Sequence, residues 1–434
     1  MRKIFKYMLI FVIIAMIVLP SFSVLAEEKP EITTDSAILI DFRSGKVLYE
    51  KNADERTYPA STTKVMTAIL AIENLDYATV LTASETAINI ERDGSNIGIL
   101  NGEQFTVEQL LYALLVHSAN DAANMLAEAV SGSISDFVVL MNQKATELGM
   151  KNTNFVNAHG YHNESHYMSA RDLALLSSYA MKNEKFAAIV SVPTYELPPT
   201  EKYPQIRYLS SNNMLINKMK GRKYIYEPAL GIKTGHTDDA GFCLASFAEQ
   251  DSEEYICVTM KSPIDENYNY SFKDTITLFE YAFKTYDMKT ISNVGDILAT
   301  APVKWAKGGK HAVLTTTAAI ERLLPAGFNT KDLTTNISFS EKVKAPVKQG
   351  DVLGSIEYVY EDESLGVVDL VAMEDVKRSF SKMIFGTFFD FLFSAWVMVP
   401  FFTIVVLLLI VRSYNLRKRR KRREMLRRQN RNNF

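Results

Sequence analysis

Apolar and polar positions divide the chain into stretches of different period. "AILIDFRSGKVLYE", residues 37–50, alternates and turns at Arg43-Ser44-Gly45, which predicts a β-hairpin. Over 61–73 the pattern turns apolar for several residues together and predicts a helix. Thr106-x-x-Gln109 is a capping-box pattern that opens a second helical run, "VEQLLYALLVHSA", and a further helix is expected over 122–130. Residues 151–168 are polar, rich in Asn and His, and read as a long loop. Ser169-x-x-Asp172 then caps a helix that runs to about Lys182. After 230 the texture changes to strands, "LGIKTG", "GFCLASFA" and "EYICVTM", followed by the helical run "DTITLFEYAFKTY". An early hairpin and late adjacent strands with helices between them predict an α+β domain: one sheet assembled from both ends of the segment, with helices packed on it. Residues 291–374 hold short strands and turn residues and read as a small β-rich domain, with a linker over 375–390.

The two ends fall outside this globular pattern. Residues 1–26 carry Arg2, Lys3 and Lys6, an apolar run over 8–19, Pro20, and then "SVLA" with Val24 and Ala26 placed for cleavage before Glu27. That is the pattern of a secretory signal peptide; the competing reading is an uncleaved anchor helix. Residues 391–411 are uncharged, and 21 residues at 1.5 Å each suffice to cross about 30 Å of hydrocarbon. The basic tail 412–434 beside that span predicts a cytoplasmic C-terminus with everything before it facing outward. A nucleic-acid-binding tail is the alternative.

Length and charge fit this division. A chain of 434 residues implies two domains with extras. With 47% hydrophobic and 23% charged residues, global disorder is excluded. The formal charge of −2 conceals +3 in residues 1–26 and +10 in 412–434, which leaves −15 for 27–411. An acidic body argues against nucleic acid as its partner. Cys243 and Cys257 lie on neighbouring predicted strands outside the membrane, where a cross-strand disulfide is permitted and two buried thiols are the alternative.

Within this frame the candidate chemistry begins at Ser61 and Lys64. Three residues apart on a helix they share a face, so a lysine amine can reach a serine hydroxyl. The serine becomes a nucleophile only if a base takes its proton, and the lysine is a base only if burial or nearby positive charge keeps it neutral. The apolar residues that follow Lys64 supply a reason for burial, although a lone Ser-x-x-Lys is common by chance. Ser118-Ala119-Asn120 adds a hydroxyl and an amide at the end of a helical run. Lys233-Thr234-Gly235 adds a cation, a hydroxyl and a residue without a side chain in a predicted strand.

Taken in order, Ser-x-x-Lys, Ser-x-Asn and Lys-Thr-Gly form the motif set of penicillin-recognising acyl-transfer enzymes. The stretches "YPASTTKVMTA", "LLVHSANDAANMLAE", "VNAHGYHNESHYMSARDLALLS" and "LGIKTGHTDDAGFCLASFA" resemble the low-molecular-mass D-alanyl-D-alanine carboxypeptidases over the catalytic part, residues 33–288. "VKAPVKQGDVLGSIEYV" is similar to the β-sandwich domain that follows in that family.

The resemblance implies a β-lactamase/transpeptidase-like fold, no cofactor and no metal. It implies a substrate, the peptidoglycan stem peptide ending in D-Ala-D-Ala, and covalent inhibition by β-lactam antibiotics. Ser61 would be the nucleophile, Lys64 its base and Ser118 the proton relay. Asn120 would hold the peptide amide. Lys233 and Thr234 would face the terminal carboxylate, Gly235 would let substrate backbone lie against the strand, and the backbone N–H groups of Ser61 and His236 would hold the oxyanion.

Several alternatives stay open at this level. The loop histidines His159, His162 and His166 suggest a metal cluster or, with His159 near the active site, loop packing. Family members often carry an arginine for the carboxylate where this chain has Ser271, with Lys273 two residues on or another cation as the candidate replacement. A β-lactamase reading would need a glutamate base in the loop, and Glu164 is its candidate. A penicillin-sensing or wall-binding module without turnover is the non-enzyme alternative.

Overall fold

The computed structural model describes residues 29–340 and 343–431; the expected signal peptide over 1–26 lies outside them. The described chain divides into two compact units, one running to Met288 together with Leu323–Ala326 and the other holding the remainder.

The first unit is built on a five-stranded antiparallel sheet with helices against it. Its strands are β1 (Ser36–Asp41), β2 (Val47–Lys51), β3 (Ala229–Thr237), β4 (Gly241–Gln250) and β5 (Glu253–Ser262), in the order β2-β1-β5-β4-β3. The sheet is thus assembled from both ends of the segment, as the sequence predicts. The expected hairpin forms, and every residue of its first strand β1 is buried. β1 is flanked by β2 and β5, and its alternating side chains enter two cores. Ile38 and Ile40 join the larger core, whereas Ala37 and Leu39 join another that includes Leu278 and Phe279. Full burial of a side chain such as Ile38 or Leu39 contributes about 1.5–3 kcal/mol.

The helices that matter for the site are α1 (Lys64–Asn74), α2 (Val107–Leu115), α3 (Asn120–Ser131), α4 (Ala170–Met181) and α5 (Tyr270–Thr285). Thr106 and Gln109 form the predicted capping box on α2, and the Ser169 hydroxyl accepts from Asp172 N–H to open α4. α1 begins later than the apolar pattern suggests, because Ala60–Thr63 forms a 3-10 turn that leads into it. Its first eight residues, Lys64 to Ala71, are all buried, so no wet face is available to the lysine.

Cys243 and Cys257 are both free thiols. A disulfide would need them opposite one another, but the β4–β5 turn and a register shift near Phe242 pair Cys257 with Ser246, while Cys243 sits opposite Gly235 on β3. Cys243 belongs to the larger core and Cys257 to the core on the other face.

The second unit contains a five-stranded antiparallel sheet of β6 (Ile297–Pro302), β7 (His311–Thr316), β8 (Thr334–Phe339), β9 (Val352–Tyr360) and β10 (Glu363–Ala372), ordered β6-β7-β10-β9-β8. Leu314, Ile356 and Leu370 are among its buried residues. The segment read as a linker is largely helical: α6 (Phe380–Leu392) is capped by the Ser379 hydroxyl. The apolar stretch 391–411 is divided by a break at Phe393-Ser394, so the long helix α7 (Ala395–Arg431) starts later than expected and continues into the basic tail. Its portion Ala395–Leu426 has mean hydropathy 2.4 over its most apolar window, long and apolar enough to cross a membrane, which fits membrane anchoring. Pro400 lies within it without ending it.

Candidate active site

Ser61 stands on the 3-10 turn ahead of α1, where two cavities of about 360 and 410 Å³ meet at Ser61, Ser95 and His236. Lys64 Nζ lies 2.9 Å from Ser61 Oγ and donates to the carbonyl oxygen of His159 at 2.7 Å. The lysine is wholly buried. Burial, helped by the positive charge of Lys233, holds its ammonium well below the usual lysine range, while Asp121 and Glu91 pull weakly the other way. Lys233 is itself pushed down to about 7 by burial, and its Nζ donates to the Thr234 carbonyl at 3.0 Å.

The other motif residues arrive from separate elements. Ser118 lines the first cavity from the turn between α2 and α3, with a left-handed φ of 70° that a non-glycine residue adopts at a cost of about 1–3 kcal/mol. Asn120 starts α3 and lines the second cavity, with its N–H donating to Ser95 O at 2.8 Å. Thr234 and His236 line the first cavity from β3, and the His236 ring packs on Phe242 with centroids 4.2 Å apart. The structure therefore brings Ser61, Lys64, Ser118, Asn120, Lys233, Thr234, Gly235 and His236 to one place.

Two expectations change in detail. Gly235 was expected to leave room for substrate. A Cβ there would lie 2.8 Å from Pro59 O and 3.1 Å from Ser61 N, so the protein's own backbone occupies that space. The glycine lets β3 lie against the turn that carries the nucleophile. Lys233 was expected to face the carboxylate; it is buried, with its Nζ on the Thr234 carbonyl, and is absent from the described lining of either cavity.

Several residues that hold the site carry no motif. The carbonyl of His159 anchors Lys64, and Gly160 beside it has φ +83°, with Ala60 O only 1.8 Å from where a Cβ would stand. Only glycine permits the loop to approach the nucleophile turn this closely. Asp121 accepts from the N–H groups of Ile97, Ile99 and Ala122, tying the rim loop that carries Ser95 to the head of α3. Arg207, which is buried, forms a two-pronged pair with Glu103 at 2.9 and 3.0 Å and donates to Gly98 O at 3.2 Å, fixing the far end of the same loop. The adjacency of Asp121 to Asn120 was the available sequence signal for the first; the second pair spans 104 positions and leaves no local signal.

The loop histidines pack the site. Tyr161 N–H donates to His159 Nδ1 at 3.3 Å, and Val156 N–H donates to His166 Nδ1 at 3.3 Å. His166 Nε2 then carries the proton and donates to Thr63 Oγ1 at 2.9 Å. Burial pushes His159 down to about 3 and His166 down to about 4, so both are neutral around pH 7. Glu164 is exposed on this loop and lines neither cavity.

A buried lysine against a serine, framed by Ser-x-Asn and Lys-Thr-Gly residues, is an acyl-transfer arrangement, and comparison with known proteins decides which. A family model described as D-alanyl-D-alanine carboxypeptidase matches residues 23–263, and one described as the penicillin-binding protein 5 C-terminal domain matches 286–378. The chain belongs to the D-alanyl-D-alanine carboxypeptidase family. It is a serine-type carboxypeptidase of the low-molecular-mass penicillin-binding proteins. It is 33% identical to the D-alanyl-D-alanine carboxypeptidase DacF of Bacillus subtilis over 349 residues, covering 79% of this chain and 86% of the relative. It is 31% identical to DacA of Escherichia coli K12, covering 82% and 87%. Among solved structures, penicillin-binding protein 5 of Haemophilus influenzae aligns with a TM-score of 0.62 at 26% identity, covering 81% of this chain and 99% of that one.

Proposed function

We propose that the carboxypeptidase acts through an acyl-enzyme on Ser61, removing the terminal D-Ala from peptidoglycan stem pentapeptides. The observation that carries this reading is the 2.9 Å approach of a fully buried Lys64 amine to the Ser61 hydroxyl, in a setting that favours the neutral amine. Lys64 takes the hydroxyl proton as Ser61 Oγ bonds to the carbonyl carbon of the penultimate D-Ala. The backbone N–H groups of Ser61 and His236 hold the resulting oxyanion. The C–N bond then breaks, and the departing amine receives the proton from Lys64 by way of Ser118. Water attacks the ester and gives a proton to Lys64, which passes it to Ser61 Oγ as the acyl C–O bond breaks, restoring the free serine and the neutral amine. Asn120 holds the peptide amide, while Thr234, backed by Lys233, receives the terminal carboxylate. A β-lactam acylates Ser61 by the same attack.

In the same reading, residues 1–26 direct export, α7 spans the membrane, and the basic tail 412–434 stays on the cytoplasmic side with the catalytic unit outside. The test is release of D-Ala from a diacyl-Lys-D-Ala-D-Ala peptide by the full-length chain in detergent. Release is expected, with kcat/KM lowered by about 10³-fold or more in Lys64→Ala. A long-lived acyl-enzyme with no peptide turnover would instead favour a penicillin-sensing module.

A further inference from the structure

In the proposed reaction the terminal carboxylate of the substrate enters the first cavity, and the described lining residues at the start of α5, Ser271 and Phe272, offer it no cation. Ser271 lines the cavity at the start of α5, but its hydroxyl donates to Asn269 Oδ1 at 2.7 Å, so its proton is turned away from a ligand. Lys273 is engaged elsewhere, with Nζ 4.4 Å from the Tyr268 ring centroid and 5.0 Å from that of Tyr270. Lys233 is buried, with its Nζ on the Thr234 carbonyl, and is absent from the described lining of this cavity.

Lys220 enters the same cavity from a different direction. It ends the 3-10 turn Lys218–Lys220, ahead of β3, and shares the cavity lining with Ser61, Thr234 and Ser271. Among the described lining residues it is the lysine or arginine present. We propose that Lys220 is the specificity-determining cation of this carboxypeptidase, binding the terminal carboxylate of the stem peptide in place of a basic residue on α5.

Its charge also bears on the residues around Ser118. Burial holds the His117 imidazole below its usual range against the pull of Asp121, and the ammonium groups of Lys220 and Lys233 add to that depression. His117 immediately precedes Ser118. The charge of Lys220 is therefore felt at the residue next to Ser118, which lines the same cavity as Thr234. Because Lys220 stands on an exposed turn, its attraction for a carboxylate is more strongly screened by salt than that of a buried cation.

The inference rests on the carboxypeptidase reading above, and the experiment separates the two. Full-length chain in detergent is assayed on diacyl-Lys-D-Ala-D-Ala and on the same peptide with a C-terminal amide. Lys220→Ala is expected to raise KM for the carboxylate peptide about fivefold to tenfold, with kcat little changed and the amide peptide unaffected. Lys220→Arg restores KM, Lys220→Glu raises it further, and Lys273→Ala leaves it unchanged. Added salt should raise the wild-type KM while leaving that of Lys220→Ala flat. Equal losses on the two peptides, no loss on either, or a loss that follows Lys273→Ala instead would overturn the assignment. A wild-type chain that releases no D-Ala overturns the parent reading, and this one with it.

Discussion

The two units bury different chemistry. In the first, the buried side chains include Lys64, Glu103, Asp121, His159, Arg207 and Lys233. In the second, Ser292 and Thr316 are the buried polar residues among those described, and the rest are apolar side chains such as Ala312, Leu314, Ile356 and Leu370. Taking a charge out of water costs several kcal/mol unless it is paired or neutralised. The first unit meets that cost in two ways. Arg207 and Glu103 remain charged and paired, whereas burial drives Lys64 toward its neutral form. The second unit shows no comparable expense among its described residues. Buried ionisable groups thus distinguish the unit that holds the candidate site from the other.

The largest expected break in this contrast comes from Arg207→Ala. Glu103 would be left buried without its partner, and a buried pair broken on one side costs about 3–5 kcal/mol. Thermal or denaturant unfolding of the catalytic unit should record that loss, and the rim loop near Gly98 should lose hydrogen-exchange protection first. A change below 1 kcal/mol would mean that the pair does not hold the loop. Leu314→Ala probes the other unit by the opposite means, a cavity in an apolar core, at a cost of about 2–5 kcal/mol. Hydrogen exchange should open β6, β7 and β10 in that variant while kcat/KM stays within twofold. A large fall in kcat/KM would show that the β unit contributes to catalysis.

The smallest effect is a displacement in pH. In the proposed mechanism Lys64 is a base when neutral, so kcat/KM is expected above its depressed pKa and should fall about tenfold per unit as pH drops below it. Lys233→Met removes a neighbouring positive charge that lowers Lys64. The Lys64 pKa should rise and the acidic limb should move to higher pH, whatever happens to its height. A limb that stays in place would leave burial as the sole cause of the shift.

Much of the fold and site was legible in sequence where function and local pattern coincide. The capping box at Thr106 and Gln109, the hairpin over 37–50, and the three short motifs are all local in the chain. The parts that escaped are set by distant backbone. Cys243 and Cys257 leave a bridge and two buried thiols equally open until the actual turn and a register shift are known. Gly235 reads as room for substrate until Pro59 O is found in that room, and the demand on Gly160 comes from Ala60, 100 positions earlier. Lys220 lies outside every motif, and its relevance emerges only when the turn before β3 reaches the cavity. The apolar stretch 391–411 gave the length of a span but not the break at Phe393-Ser394, which divides it between two helices.

The central claim is that a dry, neutral Lys64 activates Ser61. Intact-protein and peptide mass spectrometry after exposure to penicillin, on the full-length chain with and without Lys64→Ala, tests it most directly. The account predicts one adduct on the wild-type chain, located at Ser61 and forming at least about 10³-fold more slowly in Lys64→Ala. An adduct on another residue, or acylation of Ser61 at an undiminished rate without the lysine, would contradict it.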